Sequence, residues 1–461
     1  MNLLIVLAAL VFLMLVAYRG YSVILFAPIA ALGAVLLTDP MLVPPVFSGV
    51  FMEKTVGFVK NYFPVFMLGA VFGKVIELSG FSKSIVSAVI GVLGRERAVL
   101  SIVVVCAILT YGGVSLFVVV FAVYPFAAEM FRQGDIPKRL VPCTIALGAF
   151  SFTMDALPGT PQIQNIIPTT FFNTTTWAAP VLGLIGSVFI LVVGMAYIES
   201  RRRAAQKAGE GYGTELHNEP EPFEDEKLAN PWIAVSPLVV VGVANFVLTQ
   251  LVPRAYGAKH EAMLGGHPIV TQIAPVAAIW AVEGALILGI LMVFIFAWRP
   301  VLAKFADGSK AAVAGALLAS LNTASEYGFG GVIALLPGFA TVSDVLKAIP
   351  NPLVNEAITV TALAGITGSA SGGMSIALAA MSDSFIAAAQ AANIPLEVFH
   401  RVAAMASGGM DTLPHNGAVI TLLAVTGLTH RQAYKDVFVI TLTKTAAVFV
   451  VIAFYYLTGI Y

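Results

Sequence analysis

Two short runs set a carboxylate beside a helix breaker within otherwise apolar sequence. Met154-Asp155-Ala156-Leu157-Pro158 and Met410-Asp411-Thr412-Leu413-Pro414 lie 256 positions apart. The first continues as Gly159-Thr160-Pro161-Gln162-Ile163-Gln164-Asn165, the second as His415-Asn416-Gly417. Proline and glycine interrupt regular helix and free peptide N–H and C=O groups. Freed N–H groups at a half-helix start carry partial positive charge and suit a carboxylate. Thr160, Gln162, Asn165, Thr412 and Asn416 add neutral hydrogen bonds. Asp155 and Asp411 are costly at membrane depth, about 2.5–3.5 kcal/mol on insertion scales, so they call for a compensating role. Capping the break is one; holding a proton or cation is another. His415 is a candidate proton carrier, because imidazole titrates near neutrality.

Two Gly/Ser clusters join these runs. Gly112-Gly113-Val114-Ser115 and Ser369-Ala370-Ser371-Gly372-Gly373-Met374-Ser375 each interrupt an apolar stretch of about 35 residues, 97–131 and 354–390. Glycine admits close approach of a ligand to the backbone, and Ser115 and Ser375 fall where a second helical arm is expected to begin, as N-caps or ligand contacts. The arms are short for full crossings, so each stretch is read as a re-entrant hairpin. A substrate carboxylate is therefore expected among Gly112, Gly113, Ser115, Gly159, Thr160, Gln162, Asn165, Ser371, Gly372, Gly373, Ser375, Thr412 and Asn416. Asp155, Asp411 and His415 are the expected ion-coupling groups. No lysine or arginine lies in the breaks, so a bound carboxylate is expected to lack a fixed side-chain cation. No catalytic residue, metal or cofactor is expected, only a co-transported proton or, alternatively, sodium. Other ionisable residues within apolar spans are Glu283, Glu326, Asp383 and Lys444, read as structural ion pairs.

The elements that hold these residues must lie in a bilayer. Of 461 residues, 59% are hydrophobic and 11% charged, where a soluble domain is nearer a quarter charged. Net charge is zero, so nothing points to nucleic acid. Cys106 and Cys143 sit in apolar runs and are too few for a disulfide framework. Met1 to Ala17 lacks a charged start and a small-residue cleavage site, and reads as a span, not a signal peptide. Apolar stretches long enough to cross fall near 2–18, 21–38, 61–80, 136–172, 177–198, 232–252, 273–297, 310–337, 396–428 and 434–458; 136–172 and 396–428 contain the two breaks.

The paired motifs imply an internal repeat. Asp135-Ile136-Pro137 matches Asn393-Ile394-Pro395 at an offset of 258, the Gly-Gly clusters match at 260, and Val75-Ile76-Glu77-Leu78 matches Val332-Ile333-Ala334-Leu335 at 257. The expected fold is an all-α polytopic membrane protein of two repeats, 1–198 and 231–461. Each has five spanning helices, one hairpin and one broken helix. An odd number of crossings inverts the second repeat, an architecture typical of secondary transporters with the site at the breaks. Residues 199–230, from Arg201-Arg202-Arg203 to Glu224-Asp225-Glu226, read as a solvated cytoplasmic linker. With both termini outside, Arg19, Lys83, Arg97, Arg132, Lys138, Arg139, Arg299 and Lys304 fall inside, as positive-inside counting requires.

At the breaks the sequence resembles the gluconate permease family of the ion transporter superfamily. The likeness covers nearly the whole chain and rests on the two hairpins, Gly112-Gly113 followed by an apolar arm and Ile136-Pro137, and the Pro-rich break at 157–161. Tyr111 to Phe117 with Ala156 to Pro161 is similar to a branch labelled gluconate or hydroxybutyrate permease. The resemblance implies proton symport of a hydroxy-monocarboxylate across a bacterial inner membrane. Family gluconate carriers have a histidine in the first break and a Ser-His-Val-Asn-Asp-like run in the second. Here the first break has none and the second only His415-Asn416, which makes 3-hydroxybutyrate at least as fitting as gluconate. A homodimer is expected as a scaffold for a moving part. An anion channel and an intramembrane aspartyl protease are the competing classes; the protease would need Gly-x-Gly-Asp, whereas Asp411 follows Gly408-Gly409-Met410.

Overall fold

The computed structural model describes residues 2–19, 21–214, 217–220, 228–339, 341, 349–414 and 416–461. Its helices are α1 (Asn2–Tyr18), α2 (Val23–Thr38), α3 (Val43–Val46), α4 (Met52–Leu78), α5 (Phe81–Leu93), α6 (Ala98–Tyr111), α7 (Leu116–Gln133), α8 (Val141–Ala149), α9 (Phe152–Asp155), α10 (Ile163–Phe172) and α11 (Pro180–Lys207). After the segment that follows α11 come α12 (Pro231–Tyr256), α13 (Ala277–Leu335), α14 (Pro352–Thr367), α15 (Ala370–Ala392), α16 (Leu396–Ser407), α17 (Gly417–Thr426) and α18 (His430–Thr458). An antiparallel hairpin, β1 (Lys259–Leu264) and β2 (His267–Gln272), precedes α13.

Local chemistry sets the boundaries. Asn230-Pro231 and Asn351-Pro352 open α12 and α14: the asparagine side chain accepts from Trp232 N or Val354 N, and proline takes the first helical position. Thr429 and Gln432 form a capping box on α18. Among the described residues, six helical stretches are long and apolar enough to cross a bilayer: Pro40–Leu78, α11, α12, α13, α15 and α18. α13 leaves helical geometry at Ala297 (φ −131°, ψ 36°), just before Pro300, where two crossings with a cytoplasmic turn are expected.

Four features depart from the sequence reading. α5 is an additional helix. α15 has 23 residues and crosses by length alone, so the short-arm argument for a hairpin does not hold for that arm. α15 begins at Ala370 with Ser369 as its cap, not near Ser375. The left-handed turn glycines are Gly113 (φ 96°) and Gly368 (φ 65°). They are 255 positions apart, close to the Asp155–Asp411 spacing, so the turn at Gly112-Gly113 matches Thr367-Gly368 and not Gly372-Gly373.

The segment after α11 also differs. Helix continues through Arg201-Arg202-Arg203 to Lys207, and the chain beyond is held down. Tyr212 N donates to Asp135 Oδ1 (3.0 Å), Arg139 grips Glu210 with two bonds (2.6 and 2.9 Å), and Lys138 pairs with Glu219 (2.6 Å). Asn218 reaches the Ala424 carbonyl of α17 (2.9 Å), and Tyr124 of α7 donates to Asn218 O (2.8 Å). Residues 208–214 and 217–220 thus form a strap from the start of α8 to the end of α17.

Most buried side chains form one apolar cluster that runs through both halves. A smaller cluster seats α1 and α2 on the second half, with Leu13, Ala27 and Ala31 grouped with Phe329, Val332, Ile333 and Ile376.

Candidate functional site

The first break ties itself to the first Gly turn. Gln162 Nε2 donates to the Thr110 carbonyl at the end of α6 (2.8 Å), and Tyr111 Oη donates to Pro158 O (2.9 Å). Thr160 Oγ1 closes back on Thr153 O (2.8 Å), and Gly159 O accepts from Asn245 Nδ2 of α12 (2.9 Å). Gly113 is lined by Pro161, Leu286 and Phe72. Gly112 is buried against Leu238, and Ser115 occupies the N-cap position of α7 without a side-chain cap bond.

The second break repeats the pattern. Asn416 Nδ2 donates to Gly368 O (2.7 Å) while its Oδ1 caps α17, accepting from Ala418 N (2.7 Å) and Val419 N (3.0 Å). Thr412 Oγ1 meets Thr441 Oγ1 of α18 (2.6 Å). Ser371 Oγ meets Thr323 Oγ1 of α13 (3.1 Å), and Gly373 lies on the Ala364 backbone. Ser375 Oγ is buried without a partner. His415 lies outside the described residues.

The breaks meet where α16 crosses the first one. A side chain at Gly408 would fall on Asp155 Oδ2, which is buried and has no hydrogen-bond partner. Arg401, fully buried, spreads its guanidinium over carbonyls: Ala178 O (2.8 Å), Asp155 O (3.2 Å) and Asn165 Oδ1 (3.0 Å) among them. His400 Nε2 also reaches Asn165 Oδ1 (3.2 Å), and must donate because that oxygen carries no hydrogen. Its Nδ1 meets Thr174 Oγ1 (2.6 Å). Asn165 Nδ2 completes the knot on Thr160 O (3.0 Å) and Thr176 O (2.8 Å). Across the junction, Lys444 of α18 pairs with Asp411 (2.6 Å) and donates to Phe150 O (2.9 Å).

Two expectations are thereby corrected. The breaks do have fixed cations, Arg401 and Lys444, brought in from α16 and α18. Taking His415 as the one histidine candidate is the other, since His400 is wholly buried at the junction. Neither shows in the linear pattern: Val398-Phe399-His400-Arg401 reads as the polar start of a helix. The sequence reading also missed Glu356 of α14, fully buried with neither carboxylate oxygen bonded. Of the other ionisable residues, Glu326 and Lys444 are buried, Glu283 is half-buried and Asp383 is exposed. The expected ion-pair reading holds for Lys444 alone among these four described residues; Glu326 is taken up below. A cavity of about 240 Å³ opens between α4, α10 and α13, lined by Lys54, Asn61, Tyr62, Thr170, Phe171 and Tyr327 among others.

Apolar helices of crossing length, interrupted helices that meet in the buried interior and buried charges on the breaks are the features of a polytopic α-helical membrane protein. No family model matches the chain. It is 58% identical, over 478 aligned positions spanning the whole of both chains, to a Bacillus subtilis protein described as the uncharacterized transporter YxjC, and it belongs to that transporter family. Its fold is similar to the crystal structure of the Alcanivorax borkumensis YdaH transporter, at a TM-score of 0.52 and 14% identity over 88% of each chain. The protein is thus a transporter and not an enzyme.

Proposed function

We propose that this transporter is a secondary active symporter that carries a small organic anion, a hydroxy-monocarboxylate such as 3-hydroxybutyrate or gluconate, together with protons. The charge balance of the buried interior carries the reading. Asp155, Asp411, Asp436, Glu326 and Glu356 are buried in the protein against three buried cations, Lys138, Arg401 and Lys444. Acids already outnumber bases there, so a further carboxylate enters at low cost only with a cation. Carrying an uncompensated anion inward costs about 2.3 kcal/mol per charge per 100 mV of a negative-inside potential. A proton taken up with the substrate removes that cost.

The proposed architecture is the inverted repeat, 1–198 and 231–461, with 199–230 as cytoplasmic connection, both termini outside a bacterial inner membrane, and a homodimer as the working unit. The matched tethers of Gln162 to Thr110 and Asn416 to Gly368 support it. So does the gluconate-permease-like pattern of the breaks. The substrate groove is placed along the two Gly turns and the two breaks, with Asp155, Asp411 and His415 as ion-coupling groups. Sodium coupling is a second reading, favoured by the unpartnered Asp155 Oδ2, a ready oxygen ligand.

The test is uptake of labelled 3-hydroxybutyrate and gluconate into proteoliposomes under an imposed pH gradient without sodium. Accumulation of either acid is the expected result. Uptake that ignores the pH gradient and follows a sodium gradient overturns the proton assignment.

A further inference from the structure

Glu326 has no counterpart in the ion-coupling set above, yet its surroundings are those of a coupling group. It sits in α13 and is 2% exposed. Its carboxyl lies against Gly372 in the first turn of α15, so close that any side chain at 372 would overlap it. One oxygen reaches the Ser369 side chain, the N-cap of α15. The other, Oε2, is buried with no partner. Among the described residues no lysine, arginine or histidine pairs with it. α4 brings the Lys54 stem to Gly331, more than a turn further along α13, and its ammonium over the ring of Tyr327, the residue next to Glu326. α15 presents Ser371 and Ser375 near by and carries no charge before Asp383; α14 carries Glu356, and α2 and α10 carry none.

The start of a 23-residue helix is a seat for an anion, and the protein's own carboxyl lies against it, beside the Gly372 N–H that Ser369 Oγ holds (3.0 Å). We propose that Glu326 is a further proton-carrying group of the transport cycle, beside Asp155, Asp411 and His415, and that its ionised carboxylate holds the Ser369–Gly373 seat in competition with the substrate carboxylate. This rests on the symport reading above. With Glu326 ionised, the partial charge of the α15 start is satisfied and a second carboxylate is repelled. When Glu326 takes up one proton it becomes a neutral acid, its hold on the helix start weakens, and the substrate carboxylate replaces it. One proton and one anion then load together with no change in net charge. Discharge reverses the exchange: the substrate leaves, Glu326 releases its proton and returns to the seat. Gly372 is required because the carboxyl must lie flush on the backbone. Ser371 and the unpartnered Ser375 Oγ, in the first two turns of α15, offer hydroxyls to the incoming anion.

The experiment uses the full chain in proteoliposomes with 3-hydroxybutyrate and gluconate as probes. For Glu326→Gln the expected result is retained exchange of labelled for unlabelled acid, with loss of accumulation under a pH gradient. Its exchange rate is expected to be flat with pH, whereas wild-type exchange falls up to about tenfold per pH unit on the alkaline side, as one proton per anion requires. Glu326→Asp, which draws the carboxyl back from Gly372, should keep accumulation with a displaced pH profile, and it serves as the test if the glutamine variant does not fold. Wild-type-like accumulation by Glu326→Gln, or an unshifted profile in Glu326→Asp, overturns the assignment while leaving symport intact. A wild type that accumulates neither acid under the pH gradient overturns the symport reading and this inference with it.

Discussion

Arg401 of α16 donates to Asn165 Oδ1 of α10 at 3.0 Å, and through that bond the two halves of the chain share one buried polar knot. The same guanidinium bonds the backbone at Asp155, Thr176 and Ala178. A planar fork with five donors can serve carbonyls on several sides; an ammonium cannot.

Arg401→Met is therefore expected to destabilise the protein strongly, at about 1–3 kcal/mol for each carbonyl left buried and unpartnered. Arg401→Lys should recover only part. Thermal unfolding of the purified protein in detergent measures both, and a Met variant that melts with wild type would refute the strut.

Gly408→Ala should disturb the junction because its methyl group falls on the Asp155 carboxyl. The expected outcome is a loss of stability of about 1–3 kcal/mol, typical of overpacking, with impaired transport. Asp155→Ala should relieve much of that loss, since it removes the obstructing group. Additive effects in the double variant would show that the two residues do not meet.

Lys444 and Asp411 form a buried pair, and removing one member leaves a bare charge. Lys444→Met is expected to cost about 3–5 kcal/mol, and the double variant with Asp411→Leu to regain most of it. Stability of the three variants by chemical or thermal unfolding decides this; a double variant no better than the single would argue that Lys444 acts mainly through the Phe150 carbonyl.

The strap carries a pH dependence outside the membrane. The Arg139 hydrogen bond holds the Glu210 carboxyl below the ordinary glutamate range, against a smaller opposing effect of burial. A carboxyl depressed on docking stabilises the docked state above its free value, about 4.3, and that contribution is lost as pH falls through the lower docked value. A nitroxide at Thr214 should therefore become more mobile as pH falls below the free glutamate value of about 4.3, and Arg139→Gln should be mobile above and below it. An immobile label in Arg139→Gln would mean that other contacts suffice to hold the strap.

The sequence by itself determined the membrane class, the breaks and the starts of α12 and α14. These are local properties: hydropathy over about 20 residues, proline without an N–H, asparagine before proline. Asp155 and Asp411 were legible because a charge in apolar sequence stands out by contrast. The tertiary structure decided which groups face those aspartates. Arg401 and His400 open an ordinary helix, and only the crossing of α16 over the first break turns them inward. The turn at Gly368 was misplaced onto Gly372-Gly373, because both sites read as small residues and only backbone geometry distinguishes a left-handed turn from a helical glycine. Glu326 is the clearest case. Its polar neighbourhood was visible along the chain, but its seat on Gly372 depends on α13 and α15 coming into contact, a relation between segments 46 positions apart that no local pattern encodes.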